Sequence, residues 1–399
     1  RTVVSSKGTI TAEMSDTPRN ASLGNESEAL DEDVVKSVIL TDKMTGGDSD
    51  VDVFINNIWT YILGIGDEMP PTYEPKLLLS LLEKAERILE EETTVLDLQV
   101  CASIHRTLSQ SFSKQVRPFF RYLEVGNSGG PLTVIGDLQG HGDSLLTLIS
   151  LTSQSSNQRF LFLGNYSGCG FAPHESLFLL LALKLRYPHK IFLLKGNMED
   201  PENAKAHFFI EGLAVRNLMT TALVWLACER IFGLLPLAAL VAGRLFCVHG
   251  GIGEYTVRYG IPTIRRIQRP PLMPLEVAIT KELVWGCLHI GAEKKLPSMD
   301  NVPLFDEKDI ETFCERNSVE MIIRSRQLTS EGILNNPSRL FTIWSAVSFL
   351  DNFNNAAAAL VLDASCRNAT VISYSLYEPE SKSLDDTKPA GGRSTLALQ

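Results

Sequence analysis

Four short apolar runs, each ending in a glycine-bearing polar turn, constrain what this chain can fold into more than any other feature. Leu132–Ile135 (LTVI) leads into Gly136-Asp137, and Arg159–Leu163 (RFLFL) into Gly164-Asn165. Lys190–Leu194 (KIFLL) leads into Gly196-Asn197, and Arg244–Val248 (RLFCV) into His249-Gly250-Gly251. Runs of four or five β-branched and aromatic residues are too short for buried helices and read as strands covered on both faces. A helical stretch, Glu175–Tyr187, lies between the second and third. Open α/β sheets build their sites at the carboxyl ends of such strands, so the four polar turns are candidates for one common site.

The remainder of the chain frames this ladder. Residues 1–50 are rich in Ser, Thr, Asp, Glu and Gly without apolar period and read as a disordered arm. The chain opens on Arg1, which leaves room for a native start or a targeting segment ahead of it. Amphipathic helices are expected from Val51 and over Glu74–Glu91, a helix over 302–323, strands over 340–346 and 356–375, and a flexible tail over 377–399. The longest apolar run, Ile231–Gly243, has 13 residues with Pro236 in its middle. A transmembrane helix needs about 20, so this run reads as core and no membrane is expected. Lys and Arg number 37 against 47 Asp and Glu, a net charge of -10 that argues against nucleic acid as a partner. Seven Cys without a C-x-x-C pair fit reduced intracellular thiols better than a disulfide framework.

In order and spacing, the four turns resemble the phosphoprotein phosphatase (PPP) family of metal-dependent Ser/Thr protein phosphatases. The flanking text is similar as well: HESLFLLLALKLRYPHKIFLLKGNMED (174–200), ELVW (282–285), IIRSRQ (322–327) and SAVSFLDNFNNAAA (345–358). The resemblance covers residues 51–376. It implies a metallophosphatase-like central β-sandwich flanked by helices, an α/β fold, with two metal ions that lower the pKa of a bridging water and clamp the phosphoryl oxygens.

Carried over residue by residue, the family's site is mostly absent. Its GDxHG reads Gly136-Asp137-Leu138-Gln139-Gly140, so the Asp ligand stands and a His ligand is Gln139; His141 follows two positions on, where an imidazole would not reach the same place. GDxxDRG reads with Asn165 for the bridging Asp, Gly168 for the Asp that orients the general acid and Cys169 for a phosphate-binding Arg. No phosphate loop follows Cys169 that would make it a nucleophile. GNHE keeps Asn197 but has Met198 for the general-acid His, and Met cannot donate a proton to a leaving alkoxide. His249 is retained, a further His ligand is Arg326, a second clamping Arg falls at Met299, and a Tyr is Phe349. The resemblance thus leaves Asp137, Asn197 and His249 as vestigial metal ligands.

These departures imply a catalytically degenerate phosphatase, a pseudophosphatase, acting through protein partners inside the cell, in cytoplasm or nucleus. No cofactor is expected beyond at most one weakly bound divalent metal of the Mn, Fe or Zn type. Two alternatives stay open: a residual metal-dependent phosphoprotein phosphatase with non-standard ligands, and a reader of phosphoproteins or phosphopeptides using Arg324 and Arg326. The Arg326 guanidinium is expected to occupy vacated metal space and pair with Asp137. An insertion over 101–125, carrying Arg106, Lys114, Arg117 and Arg121, reads as a surface or partner-binding helix.

Overall fold

The computed structural model describes residues 9–10, 49–64, 70–99, 130–153, 155–290, 302–335, 337, 339–376 and 393–397. Met299 and the 101–125 insertion lie outside the described residues.

The apolar ladder forms strands β3 (Leu132–Ile135), β4 (Arg159–Phe162), β5 (Ile191–Leu193) and β7 (Leu245–Val248). Each has every residue buried, which is why the sequence shows continuous apolar runs instead of alternation. Alternation exists, but between two cores. Leu132, Val134, Leu161 and Phe192 pack between the sheets, while Ile135, Phe160, Phe162, Ile191 and Leu193 face the helical layer on the other side.

Two sheets form the sandwich. The larger has β3, β4 and β5 in parallel, extended through the antiparallel pair β13 (Ala357–Leu362) and β14 (Asn368–Tyr374). The six-stranded sheet has the order β11 (Ile333–Asn335), β12 (Leu340–Ile343), β10 (Met321–Arg324), β7, β6 (Ala238–Val241), β2 (Val95–Leu98). Helices cover both outer faces. Ser49–Ile62 (α1), Pro75–Glu91 (α2), Gly142–Thr152 (α3), Pro173–Arg186 (α4), Phe209–Asn217 (α6) and Thr221–Leu234 (α7) lie over the larger sheet, with the short α5 (Pro201–Ala206) between. Glu254–Ile264 (α8), Pro274–Trp285 (α9) and Glu307–Asn317 (α10) lie over the smaller. α4 is buried from His174 to Lys184, so it lacks the polar face that a surface helix shows.

Several sequence expectations need correction. The stretch 302–323 is not one helix: a two-residue strand, β9 (Leu304–Phe305), paired with β8 (Cys287–Leu288), precedes α10, and Met321–Arg324 is a strand. Buried on its inner residues and flanked by parallel neighbours on both sides, MIIR fills a central sheet position where helix propensity is overridden. The 13-residue apolar run divides at Pro236 into the end of α7 and strand β6, and β2 was not legible as a strand at all. The two ends contain strand as well: β1 (Thr9–Ile10) pairs with β15 (Arg393–Ala397), which pairs with β14.

The parallel direction of β3, β4 and β5 in one sheet and of β7, β10 and β12 in the other points all six carboxyl ends the same way. Asp137, Asn165, Asn197, His249 and Arg326 are therefore delivered to one edge of the sandwich. A parallel bridge between Asp137 and Trp344 ties the sheets together there.

Candidate functional site

Asp137 is the centre of this edge. Its carboxylate is fully buried and accepts three hydrogen bonds: at Oδ2 from Asn165 Nδ2 at 2.7 Å and Gln139 Nε2 at 2.9 Å, and at Oδ1 from the Arg326 main-chain N–H at 3.0 Å. Burial works against the charged form, but His249, which is protonated only in the acid range where this carboxylate titrates, and these donors, with Ser325, hold its pKa below the ordinary value. The Ser325 hydroxyl accepts from Asp137 N at 2.7 Å, and the Ser345 hydroxyl accepts from Gly136 N at 2.8 Å. These two serines stitch one sheet to the other and were missed in the sequence, although both stand inside the quoted motifs.

Asn165 joins the rest. Its amide Nδ2 also donates to Asn197 Oδ1 at 3.0 Å, and its Oδ1 accepts from Met198 N at 2.8 Å. The Met198 contact fixes which end of the Asn165 amide carries hydrogens. His249 Nε2 lies 3.0 Å from the same Asn197 Oδ1, and Nδ1 lies 3.0 Å from Leu163 O and 3.6 Å from Asp137 Oδ1. Burial pushes the His249 pKa down to about 4 against the pull of Asp137, with Arg326 and Arg324 adding to the fall, so the ring is neutral at pH 7. Gly164, at φ 114°, lets this turn approach Gly196 so closely that a Cβ would sit 2.4 Å from its nitrogen.

Sequence reading also missed Glu199. Its buried carboxylate accepts the N–H groups of Asn165, Tyr166 and Gly196 and so shapes both turns. Burial raises its pKa to about 7, over the opposing effect of those donors and Lys195.

The arginines differ from expectation. Arg326 sits in the left-handed region at φ 70°, which turns its N–H to Asp137 and sends its side chain away. The guanidinium lies over the Trp285 ring, 5.2 Å from the centroid, so the expected guanidinium–carboxylate pair does not form. Arg324 is fully buried and donates to the carbonyls of Gly250 and Gly286 and to Gln327 Oε1. With its donors spent inside, it is not presented to a phosphate group.

The remaining positions are packed as neutral groups. Met198 is buried, with Asn203 Nδ2 3.4 Å from its sulfur. A Cβ at Gly168 would lie 2.4 Å from Gln139 Oε1, so the glutamine side chain fills the space that a side chain at 168 would take. Cys169 is an exposed thiol, His141 stands at the N-cap of α3, and Phe349 packs edge-on against Trp344 at 5.0 Å.

Asp137, Gln139, Asn165, Asn197 and His249 thus come together, but as a closed hydrogen-bonded set. Among the described residues no three His, Cys, Asp or Glu side chains form a group that could hold a metal ion. The two amide hydrogens of Asn165 point at Asp137 Oδ2 and Asn197 Oδ1, the oxygens a cation at this edge would need. This donor set does not fit a two-metal centre.

Residues 130–325 match the calcineurin-like phosphoesterase family model. The chain is 35% identical over 234 residues to the serine/threonine-protein phosphatase 4 catalytic subunit of Kluyveromyces lactis, covering 58% of this chain and 74% of that protein. It is 34% identical to the corresponding subunits of Eremothecium gossypii, with 60% and 77% covered, and of Saccharomyces cerevisiae, with 58% and 74% covered. A solved Saccharomyces cerevisiae protein serine/threonine phosphatase, described as similar to human phosphatase PP5, shares the fold with a TM-score of 0.64 at 19% identity, over 83% of this chain and 98% of that one. The chain belongs to the phosphoprotein phosphatase (PPP) family of Ser/Thr phosphatases.

Proposed function

We propose that this protein is a pseudophosphatase: a PPP-family fold that no longer hydrolyses phosphomonoesters and acts by binding other proteins inside the cell. The observation that carries this reading is the Asn165 amide, which donates to Asp137 and Asn197 at 2.7 and 3.0 Å where the family resemblance calls for a metal-bridging carboxylate. Asp137, Asn197 and His249 are then remnants of a ligand set. Without metal ions there is no activated water, and with Met198 there is no proton donor for the leaving group, a loss of about 10²–10⁴ in rate by itself. Gly168, Cys169 and Phe349 belong to the same loss.

Two observations support a role in assembly. The relatives are designated catalytic subunits, a term for one component of a larger complex. Phe208 just before α6, Val215 on it, Met219 in the turn that follows, and Leu223 and Leu226 on α7 are 72%, 71%, 90%, 56% and 49% exposed. Clustered exposed apolar side chains of this kind mark protein-interaction surfaces. Among the described residues no helix is long and apolar enough to cross a membrane.

The test is turnover of p-nitrophenyl phosphate by the purified protein in Mn²⁺. Release of nitrophenol at the buffer rate, unchanged by Asp137→Ala, is the expected result. Turnover that Asp137→Ala abolishes would establish the residual phosphatase instead.

A further inference from the structure

A groove between α2, α7 and α9 is lined by none of Asp137, Gln139, Asn165, Asn197 and His249. Its volume is about 910 Å³, within the upper range for a site that holds a small organic ligand. Its walls are apolar: Leu234, Leu237, Pro270, Val277, Val284 and the edge of Trp285. Acidic and basic residues line it in equal number, but they are disposed differently. Glu86 is paired with Arg230 at 2.8 Å, Asp200 caps α5 by accepting from Glu202 N at 3.1 Å, Glu90 faces solvent, and Glu229 is half-buried on α7.

Two cations remain. Lys195 donates to the carbonyls of Glu199 at 2.9 Å and Phe232 at 2.6 Å, and Arg269 donates to the carbonyls of Leu234, Leu89 and Glu92. Neither is in an ion pair among the described residues. Backbone carbonyls satisfy part of their hydrogen-bonding capacity but supply no negative charge, and each retains a donor beyond those contacts. Burial lowers the pKa of both, Lys195 to about 8, and outweighs the opposite pull of Asp200 and Glu199 on Lys195 and of Glu92 on Arg269. Apolar walls with two partly neutralised cations match a ligand that has one anionic group and a hydrocarbon body.

We infer that this cavity binds a small amphipathic carboxylate, its hydrocarbon against Leu234, Val277 and Val284 and its carboxylate toward Lys195 and Arg269. Occupancy would be felt at the phosphatase-like edge through two contacts. Lys195 precedes Gly196-Asn197 in the chain, and Trp285, which lines the cavity, carries the Arg326 guanidinium on its ring. The inference does not depend on whether that edge turns over phosphate.

Isothermal titration calorimetry of the full chain with decanoate, and with decanamide as its uncharged counterpart, tests it. One decanoate per chain is expected, with Kd on the order of 10–100 μM for a ligand of this size and about tenfold weaker binding of the amide. Two variants fill the cavity from different walls. A Cβ at Gly233 meets nothing nearer than Pro270 at 3.5 Å, so Gly233→Leu projects into the space without a backbone clash, and Val277→Trp enters from the half-exposed rim. Each filler is expected to abolish decanoate binding while thermal unfolding stays cooperative. Equal affinity for acid and amide, several equivalent sites, binding that survives a folded filler variant, or no binding at about 1 mM would each overturn the inference.

Discussion

Asn165→Asp is expected to destabilise the protein by about 3–5 kcal/mol at pH 7.5, the scale of an uncompensated buried charge. The substitution removes the two amide hydrogens that reach Asp137 Oδ2 and Asn197 Oδ1 and leaves oxygens facing oxygens. Two carboxyl groups this close cannot both ionise, so one keeps its proton and its folded pKa rises above the unfolded value of about 3.9. A group raised in the folded state favours folding below its unfolded pKa and loses that advantage as pH climbs through the folded one. The penalty is therefore smallest near pH 4–5 and grows towards neutrality. Millimolar Mn²⁺ is expected to return part of the loss, because two carboxylates, Asn197 and His249 would then offer a cation four suitable ligands. Urea denaturation at pH 5 and 7.5, with and without Mn²⁺, reads all three effects; a neutral, pH-independent substitution would mean that the Asn165 amide is not what closes the site.

A comparable effect is expected in the helical layer over the larger sheet. Glu175 on α4 and Arg216 on α6 form a bidentate buried pair, Nε to Oε1 at 2.6 Å and NH2 to Oε2 at 2.7 Å. Tyr73 donates to Glu175 Oε1 at 3.1 Å, and Arg216 donates to Gly212 O at 2.8 Å. Removing one partner strands the other charge in the core. Glu175→Ala should cost about 3–5 kcal/mol, whereas the double variant Glu175→Ala with Arg216→Met should cost less than the sum of the single changes, since no charge is left buried. Strict additivity in a denaturant titration would show that the pair is not coupled.

The sequence carried the fold through its apolar ladder, because strands buried on both faces cannot hide polar residues and so announce themselves. What it concealed were positions where tertiary context outweighs local signal. Val95–Leu98 has Asp97 exposed on an edge strand, and Met321–Arg324 follows a helix without a strong break, so neither read as strand. At the site, the residues that meet were legible from their turns, since parallel strands bring their carboxyl ends together. How they meet was not. The route of the Arg326 side chain depends on a left-handed backbone at one residue, and two of the three N–H donors to Glu199 come from a turn more than 30 residues away. Gly168 looked like a simple loss; the structure pairs it with Gln139, whose side chain fills the place of the missing one.

In a pseudophosphatase of this kind, amide hydrogens rather than cations hold Asp137 and Asn197 together beside His249. Metal content measured by plasma mass spectrometry after equilibrium dialysis against about 1 μM Mn²⁺ and Zn²⁺ tests this most directly, since a two-metal centre would retain its ions under these conditions. Well under one ion per chain, with no change on Asp137→Ala, is the predicted result. Two ions per chain, lost on Asp137→Ala, would contradict it.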